Sequence, residues 1–440
     1  MRCYLHQREW RLRAEKRRKR KAQPALRSST GRRALRALQL DEHQVDGQNR
    51  LNLQLNDELI PLRLARCAVL VGMDVDTECV LGYHLALSKD PNQTDLLTLF
   101  DHCLSPWDPL PLTTPGLSYQ AGAMFPSGSF EGIPVTFGEV QLDNALIHKA
   151  HSVTHLLCEQ LGATVHRGLP AHPTVRSLIE SIFNYIERST AHRMASTTGS
   201  YPHDPKRESR KNLKRPPTTT IQALNEALSV VLTEYNVTPR ANLGGASPLE
   251  LFRAQCKKHF IRFIAPTMSS QWSPFQGEKV VPIHWNRHTR RNPYVNFEYV
   301  RYHGPALDSA LRAGKAILLR YDRRDLRSVE VFTIGGRALG AIYAPQSWRR
   351  FPHSLATRRL IIKFYRKARA HARDPLGGYF AYLLEHKEKP KYALQLARIA
   401  NEFKLVASLD TDGHSIAELR NANSTESRHS WTPTQAYHRS

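Results

Sequence analysis

From residue 38 hydrophobic and polar positions fall into short β-type runs: LQLDEHQV (38–45), RLNLQL (50–55), AVLVGMDV (68–75) and CVLGYHLAL (79–87), separated by polar or turn residues. Such runs bounded by turn residues read as strands, and the succession predicts an antiparallel meander. The period then changes. Residues 94–104 place Leu96, Leu97, Leu99 and Phe100 at helical spacing, and a Pro/Gly-rich stretch follows from 106 to 134. A connection that long inside a domain is uncommon and often functional. Next come a short strand over 135–142, a helix over 151–161 closed by Gly162, a further strand over 163–166 and an amphipathic helix over 174–188.

A set of strands followed by helix, strand, helix, strand, helix is the order of the RNase H-like fold, so an α/β core is expected over 38–260. Within it, the polar, Pro-bounded segment 196–217 reads as a flexible insertion, and 220–235 returns to helix with Leu224, Leu228, Val231 and Leu232 on one face. Between 280 and 343 the period is again two. AILLRY and VEVFTI flank a turn-like DRRDLRS, which predicts a small β-barrel domain over 270–350. A basic helical region (354–373) and a disordered polar tail from about 410 make up 351–440.

Charge narrows the partners. The 440 residues carry 63 Lys+Arg against 39 Asp+Glu, a formal net charge of +24. Such an excess implies a polyanion, and nucleic acid fits better than membrane: there is no lipid-anchor motif, no apolar run long enough to span a bilayer, and no apolar core behind the basic N-terminus. The expected location is cytoplasmic and nucleoid-associated. The arm 1–37 reads as disordered when alone and contains RRKRK, whose Arg17, Arg18, Lys19 and Arg20 are candidate phosphate contacts. In HWNRHTRRNPY (284–294), Arg287, Arg290 and Arg291 interleave with Trp285 and Tyr294, a composition suited to phosphate contact with stacking. The six cysteines form no C-x-x-C pair, which argues against a disulfide framework or a structural zinc site; His148, His151 and His155 lack partners to complete a zinc set.

Three acids stand out. Asp41 lies on the strand face opposite Leu38 and Leu40, Asp143 ends an apolar strand, and Glu180 borders the apolar stripe of its helix. Carboxylates so placed could hold two Mg²⁺ (or Mn²⁺) ions for phosphodiester chemistry without an amino-acid nucleophile. Spacing alone leaves rivals open: Asp74 above all, with Asp76, Asp46 and Glu187.

Motif order favours one set. LDEHQVDG (40–47), GMDVDTECVLGYHLAL (72–87), LDNALIHKA (142–150) and LPAHPTVRSLIESIFNYIE (169–187) resemble the integrase core of DDE transposases, and YNVTPRANLGGASPLELF (235–252) resembles the signature that follows it. With the barrel expectation, the pattern is most similar to the Mu-type group, which includes bacteriophage Mu transposase and TnsB-like subunits. The resemblance implies Asp41, Asp143 and Glu180 as the metal-binding catalytic triad and demotes Asp74, which falls in a non-catalytic hairpin element. It further implies Mg²⁺-dependent cleavage of DNA 3′ ends and strand transfer, transposon-end and target DNA as partners, a homo-oligomer on DNA, and an AAA+ ATPase regulator engaged by the tail. Ala145 and Ser181 depart from the family's usual Gly and Arg. About forty residues precede Asp41 where Mu-type enzymes carry helix-turn-helix domains, so the alternative expectation is a truncated, catalytically silent DNA-binding remnant.

Overall fold

The computed structural model describes residues 31–142, 161–191 and 218–406, together with Val153 and Cys158, apart from interruptions at 46–48, 56–57, 65–66, 89, 128, 131–132, 168–176, 264–272, 286–291 and 370–371. Among the described residues the central element is β1 (Ala37–Gln44). It is followed by a hairpin of β2 (Asn49–Leu55) and β3 (Glu58–Leu64), then β4 (Ala68–Asp74), β5 (Val80–Ala86) and helix α1 (Gln93–Leu104). Short strands β6 (Ser129–Phe130) and β7 (Ile133–Thr136) precede β8 (Glu139–Leu142) and β9 (Thr164–Arg167). The main sheet has the order β5-β4-β1-β8-β9, with β4 antiparallel to β1 and β8 and β9 parallel to it. This is the RNase H-like arrangement anticipated from the element order.

One face of the sheet is sealed by α1. Asn92 caps this helix in a reciprocal box with Asp95, and its buried Leu96, Leu99, Phe100 and Cys103 join Leu38 and Leu40 of β1 in one core. The approach is close because Gly72 and Gly82 face each other in β4 and β5. A Cβ at Gly72 would meet Cys103 Sγ at 2.5 Å, and one at Gly82 the His102 backbone at 3.0 Å. The opposite face takes α2 (Ser177–Ile186), which continues as a π-helical turn over Glu187–Ala191. After the edge strand β10 (Thr219–Thr220), that face also takes α3 (Ile221–Val237), while α4 (Pro248–Lys258) belongs to the α1 side; β11 (Arg262–Phe263) then pairs with β7.

The early strands do not form the simple meander expected. The β2–β3 hairpin leaves the main sheet and pairs with β10, so β1 meets β4 directly. The β3 run ELIPLRL was not foreseen, and Pro61 sits in it because an edge strand can spare an N–H. The single strand expected over 135–142 is two: β7 and β8 lie in different sheets on either side of Phe137-Gly138.

A second unit contains β12 (Gln276–Pro282), a hairpin of β13 (Val295–Phe297) and β14 (Val300–Tyr302), α5 (Ala306–Ala313), β15 (Ala316–Asp322), β16 (Asp325–Phe332) and β17 (Ala338–Tyr343). Instead of one continuous barrel, the described strands form a four-stranded antiparallel sheet, β12-β15-β16-β17, and a separate two-stranded hairpin. Single bridges, His284–Tyr294 and His303–Tyr343, tie the two together. DRRDLRS is mostly strand, with only Arg323 and Arg324 between β15 and β16.

Beyond this unit lie α6 (Gln346–Arg349), α7 (Leu355–Ala368), α8 (Pro375–Glu385) and α9 (Pro390–Glu402). The expected basic helical region is α7; α8 and α9 were not anticipated. Helix α9 packs on β2 and β3, and Leu405 O accepts the Gln54 N–H at 2.8 Å, so the C-terminal helices rest on the inserted hairpin. They are joined to the second unit by Arg358 of α7, which is fully buried. Its guanidinium donates to Leu326 O (2.8 Å), to the Tyr302 hydroxyl and to His353 Nε2 (2.8 and 3.1 Å). Since arginine cannot accept, His353 is neutral here, its Nδ1–H donating to Phe351 O at 3.0 Å.

Burial first, and then the nearby Arg358 charge, lower the His353 pKa to about 4. Its contribution to stability is therefore complete above the ordinary histidine value of about 6.5 and is lost as pH falls through about 4. Denaturant unfolding between pH 7 and 4 should show this acid-side loss in the wild type and a shallower one in His353→Gln.

Candidate active site

Asp41 is on the central strand, opposite Val71 of β4, and it shares its face with Gln39 and His43. It is half-buried, and its Oδ1 accepts the Glu42 N–H at 2.8 Å. On the other side of β1, Leu38 pairs with Val140 and Gln39 with Gln141 of β8. Gln39 is two residues before Asp41, and Gln141 is two residues before Asp143. Asp143 itself lies just outside the described residues, immediately after Leu142.

Helix α2 meets the same face of β1. Ile179, Ile182, Phe183 and Ile186 are buried and pack with Val69, Val71 and Met73 of β4. His43 stacks on Phe183 with ring centroids 5.0 Å apart and planes 19° from parallel. Its Nε2 lies 2.8 Å from Glu187 Oε1, at the residue where the π-helical turn begins. The π turn therefore starts at a side chain used to fix the helix to the strand, as such turns often do at functional sites. Glu180 precedes Glu187 by two helical turns on the same side, as Asp41 precedes His43 on its strand face, and Glu180 is exposed. Asp41 and Glu180 thus both lie N-terminal to one shared clamp. Period two in the sequence places His43 on the Asp41 face of the strand, but its partners Phe183 and Glu187 are not legible there.

Asp74, Asp76 and Glu187 are each engaged in contacts of their own. Asp74 is buried, and its carboxylate accepts from Leu35 N (2.8 Å), Thr77 N (3.0 Å) and Thr77 Oγ1 (2.6 Å), holding the β4–β5 turn. Burial, against the downward pull of those hydrogen bonds, pushes its pKa up to about 7. Asp76 pairs with Arg36 at 2.6 and 2.9 Å. Glu187 is engaged by His43, and Asp46 lies outside the described residues.

The motif beginning at Tyr235 is structural. Asn236 accepts from Val80 N (2.9 Å) and donates to Val80 O (2.8 Å) and Met124 O (2.9 Å), fastening α3 to β5 and to the long 106–127 segment. The Arg240 guanidinium lies 3.6 Å from the Tyr235 ring centroid, and Ser247 with Glu250 forms a capping box that starts α4. Glu226, unremarked in the sequence, binds the same long segment by accepting from Thr113 N (3.1 Å), Thr113 Oγ1 (2.8 Å) and Thr114 N (2.8 Å).

Arg17, Arg18, Lys19, Arg20, Arg287, Arg290 and Arg291 lie outside the described residues, as do His148, His151, His155, the 196–217 insertion and the tail from 407. Among the described residues no three His, Cys, Asp or Glu side chains are grouped closely enough to hold a metal ion, and no helix is long and apolar enough to cross a membrane. The described donors, a half-buried and an exposed carboxylate, are hard oxygen ligands that suit Mg²⁺ or Mn²⁺.

No family model and no curated protein matches the chain. Among solved structures it is similar to the catalytic core domain of BIV integrase, at 14% identity and TM-score 0.28 over 51% of this chain and 97% of that one. It is also similar to a chain of the simian T-cell lymphotropic virus intasome in complex with PP2A regulatory subunit B56 gamma, at 12% identity and TM-score 0.30 over 62% and 73%. At such scores the fold rests on strand order and register instead.

Asp74→Ala should destabilise the chain by about 3 kcal/mol or more, because it strands buried donors that each cost about 1–3 kcal/mol, as read by denaturant unfolding. A carboxyl whose folded pKa is raised contributes stability below its unfolded value that is lost as pH rises through about 7. Wild type should accordingly lose stability relative to Asp74→Asn between pH 4 and 7.

Proposed function

We propose that the chain is a DDE-type polynucleotidyl transferase, a Mu-type transposase that cleaves DNA 3′ ends of a mobile element and joins them to target DNA as an oligomer assembled on that DNA. The observation that carries this reading is the register of the central sheet together with the α2 clamp. Asp41 lies on β1, the paired strand β8 leads directly to Asp143, and the helix bearing Glu180 is fixed to β1 through His43, Phe183 and Glu187.

In this reading Asp41, Asp143 and Glu180 hold two divalent ions. Bound Mg²⁺ or Mn²⁺ would supply Lewis-acid activation of the attacking oxygen and stabilisation of the leaving 3′-oxygen. The chain's own contribution is orientation. The leucine face of β1 keeps Asp41 from rotating with its strand, and the His43 clamp keeps α2 from sliding along it. Glu180, being exposed, is open to a DNA backbone arriving from solvent. The net charge of +24 favours that encounter and makes it salt-dependent.

Asp41→Ala and Glu180→Ala should each lower joining of pre-nicked DNA ends by roughly 10³-fold or more while leaving DNA binding intact, given the size of typical losses when one member of a catalytic unit is removed. Chelation of divalent ions should abolish joining. Full activity of Asp41→Ala, measured in a strand-transfer assay with purified chain, would overturn the assignment. DNA binding without any metal-dependent joining would favour the silent remnant.

A further inference from the structure

We propose that the second unit carries a site for an unpaired nucleobase of a single-stranded nucleic acid, built on Tyr343 and Arg349 and separate from Asp41 and Glu180. At the junction of hairpin and sheet, two single backbone bridges gather aromatic residues. His284 stacks on Tyr294 (centroids 5.1 Å apart, planes 18° from parallel), Tyr294 lies 6.0 Å from His303, and the backbone of His303 pairs with that of Tyr343 through two hydrogen bonds of 3.0 and 2.8 Å. Guanidinium groups accompany the rings: Arg301 is 4.9 Å from the Tyr294 centroid and Arg349 is 5.8 Å from that of Tyr343. Tyr343 is 46% exposed, and nearby in the sequence of this region Trp285 is 44% exposed.

Beside Tyr343 opens a hollow of about 480 Å³ whose lining includes Asn292, His303, Asp308 and Arg349. Each lining group has a counterpart on a nucleotide. The tyrosine ring offers a face on which any base can stack, Asn292 and Asp308 offer an amide and a carboxylate to the base edge, and Arg349 offers charge to the adjoining phosphate. A duplex keeps its base faces stacked within the helix, so an aromatic face in a hollow is useful only to an unpaired base. A site for phosphate alone would not include Asp308, whose charge repels it.

The test measures affinity of the full chain for a labelled mixed-sequence oligonucleotide as single-stranded DNA, as single-stranded RNA and as DNA duplex, with thermal unfolding to establish that each variant is folded. Tyr343→Ala should weaken single-strand binding about tenfold, within the range for loss of one stacked base, and Tyr343→Phe should restore it; duplex binding should be unchanged. Arg349→Gln should lower the salt dependence of single-strand binding by about one ion. Equal loss on DNA and RNA supports a site that reads the base alone, and loss on one of them supports a site that also reads the sugar. Equal loss on duplex and single strand, or no loss in a folded Tyr343→Ala chain, overturns the proposal. Both outcomes are independent of strand transfer, which reports on the acidic site.

Discussion

Strand β1 has to bury leucines on one face and present an aspartate and a histidine on the other, and the rest of the core is arranged around that conflict. Leu38 and Leu40 are sealed by α1, which can come close only because Gly72 and Gly82 have no side chains in the way. On the reverse face Asp41 and His43 cannot simply be buried, since a charged group without partners would cost more than the surrounding packing returns. The chain resolves this by placing a helix there whose apolar residues cover β4 and whose Glu187 and Phe183 take up His43. Glu180 is left exposed on the same helix side, two turns earlier.

A similar use of polar groups recurs where units meet. Asn236 satisfies both backbone groups of Val80 and so fastens α3 to the sheet edge, and Glu226 gathers the backbone of the long segment at Thr113 and Thr114. Arg358 does the same between α7 and the second unit, with a neutral histidine, a tyrosine hydroxyl and a carbonyl as its acceptors. Each of these is a buried polar group whose partners come from distant parts of the chain, so each specifies one arrangement rather than merely adding cohesion. In the 235–252 signature Asn236 belongs to this category, whereas Arg240 and Ser247 act on the nearby Tyr235 and Glu250.

The sequence by itself determined the things that depend on local periodicity. The strands at 68–75 and 79–87 are legible as short apolar runs bounded by turn residues, the helices at 93–104 and 221–237 from their 3.6-residue stripes and polar caps, and the strand at 38–45 because the pleat puts every second side chain on one face. Asp41 on the face away from the leucines follows from the same rule. Only the tertiary structure decided which strands pair: β2 alternates as clearly as β1, yet with β3 it leaves the main sheet for β10 and the C-terminal helices, a choice made by partners more than a hundred residues away. It gave the physical difference between Asp74 and Asp41: the Asp74 carboxylate is already surrounded by three donors, one from Leu35 ahead of β1 and two from Thr77 in the β4–β5 turn. It alone brought Glu187 to His43, 144 residues apart, since the chain's local pattern records which face a side chain occupies but not what comes to cover it.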